Sequence, residues 1–77
     1  MTRELVDYLA RQLVDDPDAV SVEELEGEDG LILRLHVAPG DLGKVIGRGG
    51  RIARALRTLA RASAGRMQQR VMLEIVE

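Results

Sequence analysis

Three glycines fall within four residues, Gly47-Arg48-Gly49-Gly50, between two segments with helical patterning. Asp41 is placed to cap a short helix over Leu42 to Ile46, and a longer one is expected from Arg51 to Ala64, closed by Gly65. Lacking Cβ atoms, the glycines let the chain turn tightly and bring backbone N–H groups close to a ligand. The helix that follows aims unpaired donors and the positive end of its dipole at the same place, and both features suit a phosphate. The alternative is purely architectural: Gly47 ends one helix and Gly50 relieves crowding where two helices meet. Known nucleotide loops fit poorly. A dinucleotide fingerprint needs glycine where Ile52 stands, and a P-loop needs Gly-Lys-Ser/Thr at its end.

The rest of the chain sets the frame around that turn. Leu5, Leu9 and Leu13 recur every fourth residue with Val6 and Tyr8 beside them, predicting an amphipathic helix with Thr2 as its cap and Glu4 in its first turn. Asp15-Asp16-Pro17-Asp18 stops it. Val20 and Val22 begin an extended segment in which Leu25 is out of phase, the mark of a bulged or edge strand. Gly27-Glu28-Asp29-Gly30 then turns the chain into Leu31, Leu33, Leu35 and Val37, which alternate with Ile32, Arg34 and His36. In the second helical segment Ile52, Leu56, Leu59 and Ser63 fall on one side, and Arg51, Arg54, Arg57 and Arg61 gather on the other. Val71, Leu73 and Ile75 form a last strand. The expected order is helix, strand, strand, helix, helix, strand: an α+β domain over residues 1–77, a three-stranded sheet with helices packed on one face.

Charge separates sharply along the chain. Residues 1–29 carry ten acidic and two basic side chains (−8), residues 30–77 three acidic and nine basic (+6), which together give the net −2. Such a split predicts two electrostatically opposite surfaces, one able to attract phosphates over about 10 Å, the Debye length. Cysteine is absent, so neither disulfides nor a thiolate metal site can support so small a core, and self-association is the remaining aid. No apolar stretch is long enough to span a membrane or act as a signal peptide, so a cytoplasmic location is expected. Tyr8 is the single aromatic residue and is read as core, so the chain cannot build the stacking platforms of RNA-recognition sheets or OB grooves.

The run Gly43-Lys44-Val45-Ile46-Gly47-Arg48-Gly49-Gly50-Arg51-Ile52 resembles the KH-domain signature, an apolar-Ile-Gly-x-x-Gly core followed by a basic helix. With the helix-first order of a type II KH domain and a terminal Val71-Met72-Leu73-Glu74-Ile75 strand, the whole chain resembles the KhpA family of small bacterial single-KH-domain RNA-binding proteins. The resemblance implies that Gly47 to Gly50 clamp single-stranded RNA, with Arg48 and Gly49 as the variable positions. Gly49, a small residue, is a mild departure there. It also implies RNA-chaperone activity, a homodimer or pairing with a larger KhpB-type KH/R3H protein, and a part in cell-wall homeostasis and cell shape. Beside it, the residues themselves suggest a groove floored by Val45, Ile46, Ile52 and the apolar side of the second strand, with Lys44, Arg48, Arg51 and Arg54 meeting phosphates.

No nucleophile, base and orienting acid stand at recognisable spacing, no second ligand accompanies the lone His36, and no cofactor or metal is implied. An enzyme is not expected. The competing reading is a protein–protein dimerisation module whose glycine turn serves only to let helices approach.

Overall fold

The computed structural model describes residues 1–77, and it folds in the expected order. Helix α1 (Thr2–Leu13) leads into strands β1 (Ser21–Gly27) and β2 (Gly30–His36), then α2 (Leu42–Ile46), α3 (Arg51–Gly65) and β3 (Val71–Ile75). One-turn 3-10 segments at Pro17–Ala19, Pro39–Asp41 and Arg48–Gly50 join them. The sheet order is β1-β2-β3, antiparallel between β1 and β2 and parallel between β2 and β3. A parallel pair needs a long crossover, which α2 and α3 supply.

All three helices lie on one face of the sheet, over Leu31, Leu33 and Leu35 of β2 and Leu73 of β3. Val6, Ala10, Val20, Val45, Leu56 and Ala60 complete the core. Each leucine buried there contributes roughly 1.5–3 kcal/mol of transfer free energy. The helices meet through alanine: Ala10, Ala60 and Ala64 are fully covered, and the absence of longer side chains draws α1 and α3 close.

That close approach rotates both helices from the faces expected from sequence. Thr2, Val6 and Ala10, not Leu5, Leu9 and Leu13, form the buried row of α1. Tyr8 is 62% exposed rather than core. On α3 the buried row is Ala53, Leu56, Ala60 and Ala64, leaving Leu59 46% exposed. Thr2 does not cap its helix; its hydroxyl shares a 2.9 Å hydrogen bond with Ser63, tying α1 to α3. Gly65 is the last residue of α3 and not a left-handed cap; Gln68 (φ 57°) makes the left-handed turn instead.

β1 is an edge strand without a bulge, its register running unbroken from Ser21↔His36 to Gly27↔Gly30. Leu25 is out of phase because it lies opposite Ile32 on the open face of the sheet, and Ile32 is followed there by Met72. Glu24 and Glu26, opposite Leu33 and Leu31, take the helix side instead. In the hairpin Gly30 adopts φ 140°, and a Cβ there would sit 2.4 Å from the Arg70 carbonyl oxygen that accepts the Leu31 N–H.

Asp41 is 4% exposed, and its carboxylate does not cap α2. It accepts the backbone N–H groups of Asp15 (3.2 Å) and Asp16 (3.0 Å), fastening the chain after α1 to the start of α2. Those bonds, the one from Asp16 foremost, hold the Asp41 carboxyl below its ordinary value against the opposing cost of burial. A depressed folded value adds stability above the unfolded value, near 3.8, and loses it as pH falls through the folded value. Asp41→Asn is therefore expected to lower the melting temperature at neutral pH, and the gap from the parent should close as acid protonates the parent's carboxylate. Thermal melts of the two proteins from pH 7 downwards check this.

Candidate nucleic-acid interface

α2 is barely more than one helical turn, and it ends where Gly47 turns to φ 77°, ψ 173°, a region closed to side-chain-bearing residues. The Gly47 N–H still closes α2 on the Gly43 carbonyl at 2.9 Å, and a Cβ here would lie 2.7 Å from Ile52 Cγ1. Gly49 (φ 64°) and Gly50 (φ 77°) are left-handed, and the Gly50 N–H bonds the Gly47 carbonyl at 3.1 Å. Gly47 thus ends α2, as the architectural alternative has it, but Gly50 relieves no crowding: the nearest atom to a Cβ there is Arg54 Nη1 at 3.7 Å. What the turn leaves is short backbone at the start of α3. As the first two residues of a one-turn helix, Arg48 and Gly49 have N–H groups with no acceptor inside that turn.

The side chains around the turn divide into three groups. Arg48 and Arg51 are exposed and make no hydrogen bond or ion pair. Arg54 donates from Nη1 to the Gly49 carbonyl (3.0 Å), bracing the turn from the first coil of α3. Lys44 departs from its expected place: Nζ lies 3.2 Å from Asp15 and 3.6 Å from Asp41. The hydrogen bond to Asp15 raises its ammonium above the ordinary value, so its charge is held against acids. Val45 is wholly buried, and Leu31, Leu33 and Leu35 face the core, so neither Val45 nor that side of β2 can floor a groove. Ile46 and Ile52 are half-buried and remain accessible beside the glycines.

Further along α3 the structure adds what the sequence did not reveal. The Arg57 Nε donates to the Leu73 carbonyl at 3.2 Å, joining α3 to the free edge of β3. There a cleft of about 230 Å³ is lined by Arg57, Arg61, Val71, Met72 and Leu73. A signal existed in the arginine spacing, but nothing in the sequence says which strand edge lies alongside.

The charge split survives as geometry. α1 packs beside β1 and α3 beside β3, so most of the acids gather toward the β1 edge of the sheet and most of the arginines toward the β3 edge, with the hairpin acids Glu28 and Asp29 reaching the cleft that Arg70 lines. Of the eleven Lys and Arg, four (Arg3, Arg11, Arg34 and Lys44) pair with carboxylates. The other seven (11 − 4), all between Arg48 and Arg70, pair with none.

Residues 3–75 match the family described as KhpA/KhpB, KH domain. The chain belongs to the KhpA/KhpB KH-domain family. It is 53% identical to the RNA-binding protein KhpA of Caldanaerobacter subterraneus, over 95% of this chain and 97% of that one. To the RNA-binding protein KhpA of Treponema pallidum it is 56% identical, over 100% of this chain and 96% of the relative. Among solved structures it is similar to Era in complex with MgGDPNP and nucleotides 1506–1542 of 16S ribosomal RNA. That similarity has a TM-score of 0.63 at 20% identity, and it covers 96% of this chain and 28% of Era. At that identity the likeness is one of fold, and it agrees with the KH arrangement of a mixed three-stranded sheet carrying helices. The matched region includes the Gly47-Arg48-Gly49-Gly50 turn.

Proposed function

We propose that this chain binds single-stranded RNA, its Gly47–Gly50 turn meeting the sugar-phosphate backbone with Arg48, Arg51 and Arg54 supplying positive charge. The observation that carries the reading is the concentration of unpaired cations beginning at that turn, in a chain whose acids neutralise nearly every cation elsewhere. The name borne by the relatives, RNA-binding protein KhpA, supports it. Ile46 and Ile52 offer apolar contact to bases. Lys44 and Val45 serve from behind, one latching α2 to Asp15 and the other seating it in the core. Without aromatic stacking, base discrimination is modest. The likeness to the KhpA family extends the proposal to an RNA chaperone and post-transcriptional regulator in the cytoplasm. It would work with a KhpB-type KH/R3H partner in cell-wall homeostasis and the maintenance of cell shape.

Few phosphates are engaged, so one copy binds weakly. A homodimer would gain through effective concentration, and the exposed Tyr8 and Leu59 provide apolar surface for one. The salt dependence of binding tests the electrostatic part. For a single strand, log K falls by about 0.7 per log unit of salt for each neutralised phosphate, so roughly three or four contacts give a slope near −2 to −3. A tetranucleotide titrated by fluorescence anisotropy across a salt series is expected to give that slope; affinity indifferent to salt would sink the reading.

A further inference from the structure

From the turn onward, the seven arginines that pair with no carboxylate follow one another along α3 and into the connection to β3. At about 100° per residue, Arg54, Arg57 and Arg61 fall on the flank of α3 that faces β3, opposite the flank carrying Ile52, Leu59 and Ser63. With a rise of 1.5 Å per residue, Arg61 stands about 15 Å along the helix from Arg51. Arg66 and Arg70 continue the positive charge through the connection to β3. No acid occurs between Asp41 and Glu74, and Glu74 is itself paired with Arg34 at 2.9 Å. No carboxylate pairs with any arginine of this track, although thirteen acids are present in the chain and two of them, Glu28 and Asp29 of the hairpin, share a cleft with Arg70. Simple solubility does not need the segregation, since interspersed charges of both signs serve that purpose as well. The cleft between Arg57, Arg61 and Leu73 also gives the track relief in the surface, which a merely solvated helix face would not have.

We infer that a second phosphate-binding segment runs along α3 through Arg61, Arg66 and Arg70, so that one RNA strand held at the glycine turn continues over it. This rests on the RNA-binding reading and extends it. The clamp at a Gly-x-x-Gly turn engages about four nucleotides, whereas the full track takes a strand substantially longer. Both contacts are made to the backbone, so the extension adds affinity and salt dependence with little sequence preference. A strand drawn out along the helix is also kept from pairing with itself, which suits chaperone action.

The test compares oligonucleotides of about four and about ten nucleotides on the full-length protein and on a triple variant, Arg61→Gln with Arg66→Gln and Arg70→Gln. These side chains are exposed and bond nothing, so the fold is expected to persist, which circular dichroism and a thermal melt verify. The parent should bind the longer strand more tightly, with a slope steeper by about 2 if three further phosphates are neutralised. The variant should hold the short strand as before, yet lose roughly tenfold to a hundredfold on the long one near 0.1 M salt, its slope returning to that of the short strand. If the parent's affinity and slope did not change with length, or the variant matched the parent on the long strand, the track would not be an RNA surface. Failure of the parent to bind either strand would instead overturn the RNA-binding reading itself, and the extension with it.

Discussion

Replacing Arg48 and Gly49 together by Asp is expected to abolish RNA binding, a loss of about 100-fold or more near 0.1 M salt, with the fold intact. The two substitutions remove one unpaired guanidinium and place two carboxylates where phosphates are expected to lie. Their cost to the fold is small for identifiable reasons. Arg48 is exposed and bonds nothing, so no contact is lost. Gly49 has φ 64°, ψ 19°, a left-handed conformation that Asp tolerates better than most residues, and no atom lies within 4 Å of a Cβ built there. The Arg54 bond to the Gly49 carbonyl involves backbone and can survive. Anisotropy titrations with parent and double variant read the loss, and superimposable circular dichroism spectra exclude unfolding. A variant that bound RNA like its parent would remove the turn from the site.

Gly47→Ala should behave in the opposite way, damaging the fold first. At φ 77°, ψ 173° an alanine is strained by roughly 1–3 kcal/mol, and its Cβ would press on Ile52 Cγ1 at 2.7 Å and on the Ile52 backbone nitrogen at 3.0 Å. The clash cannot be relieved by swinging a flexible side chain, because the nitrogen belongs to the first turn of α3. A total near 3 kcal/mol is comparable to the roughly 3–5 kcal/mol a single core of this size supplies. At about 4–8 °C per kcal/mol in a chain of this length, the melting temperature should fall by roughly 15–20 °C. Gly49→Ala, with the milder left-handed angles and open space, should fall by about a third as much. Equal melting temperatures for the two alanine variants would show that the Gly47 backbone is not the constraint described.

The contrast between these glycines shows how far the sequence could be read. Spacing located the turn, the strands and their order, because alternation and glycine chemistry are local properties of the chain. Spacing could not say that Gly47 is obligatory and Gly49 permissive, since that depends on Ile52 folding back beneath the turn. The same limit explains Thr2 and Asp41. Thr2 falls one residue inside α1 and Asp41 at the cap position of α2, and the side chain of each is taken by a partner distant in sequence: Ser63 for one, the amides of Asp15 and Asp16 for the other. In sequence Lys44 stands beside the glycine run with the other cations, whereas Asp15, its partner, reaches it only through the fold. Tyr8 and Leu59 lie on apolar arcs of α1 and α3 that are wider than what alanine-mediated packing covers, and both stay exposed. Periodicity identifies an arc, and only tertiary contact decides which part of it is buried.

The placement of Glu24 and Glu26 on the helix side of β1 matters beyond this molecule's own stability. Any strand from another chain that zipped onto that edge would bring its apolar residues against two carboxylates and strip them of water, a cost that opposes further addition. At the far border, the guanidinium of Arg57 already occupies the Leu73 carbonyl that an incoming strand would need. A sheet obstructed at both borders in this way is a poor template for the edge-to-edge addition of further strands.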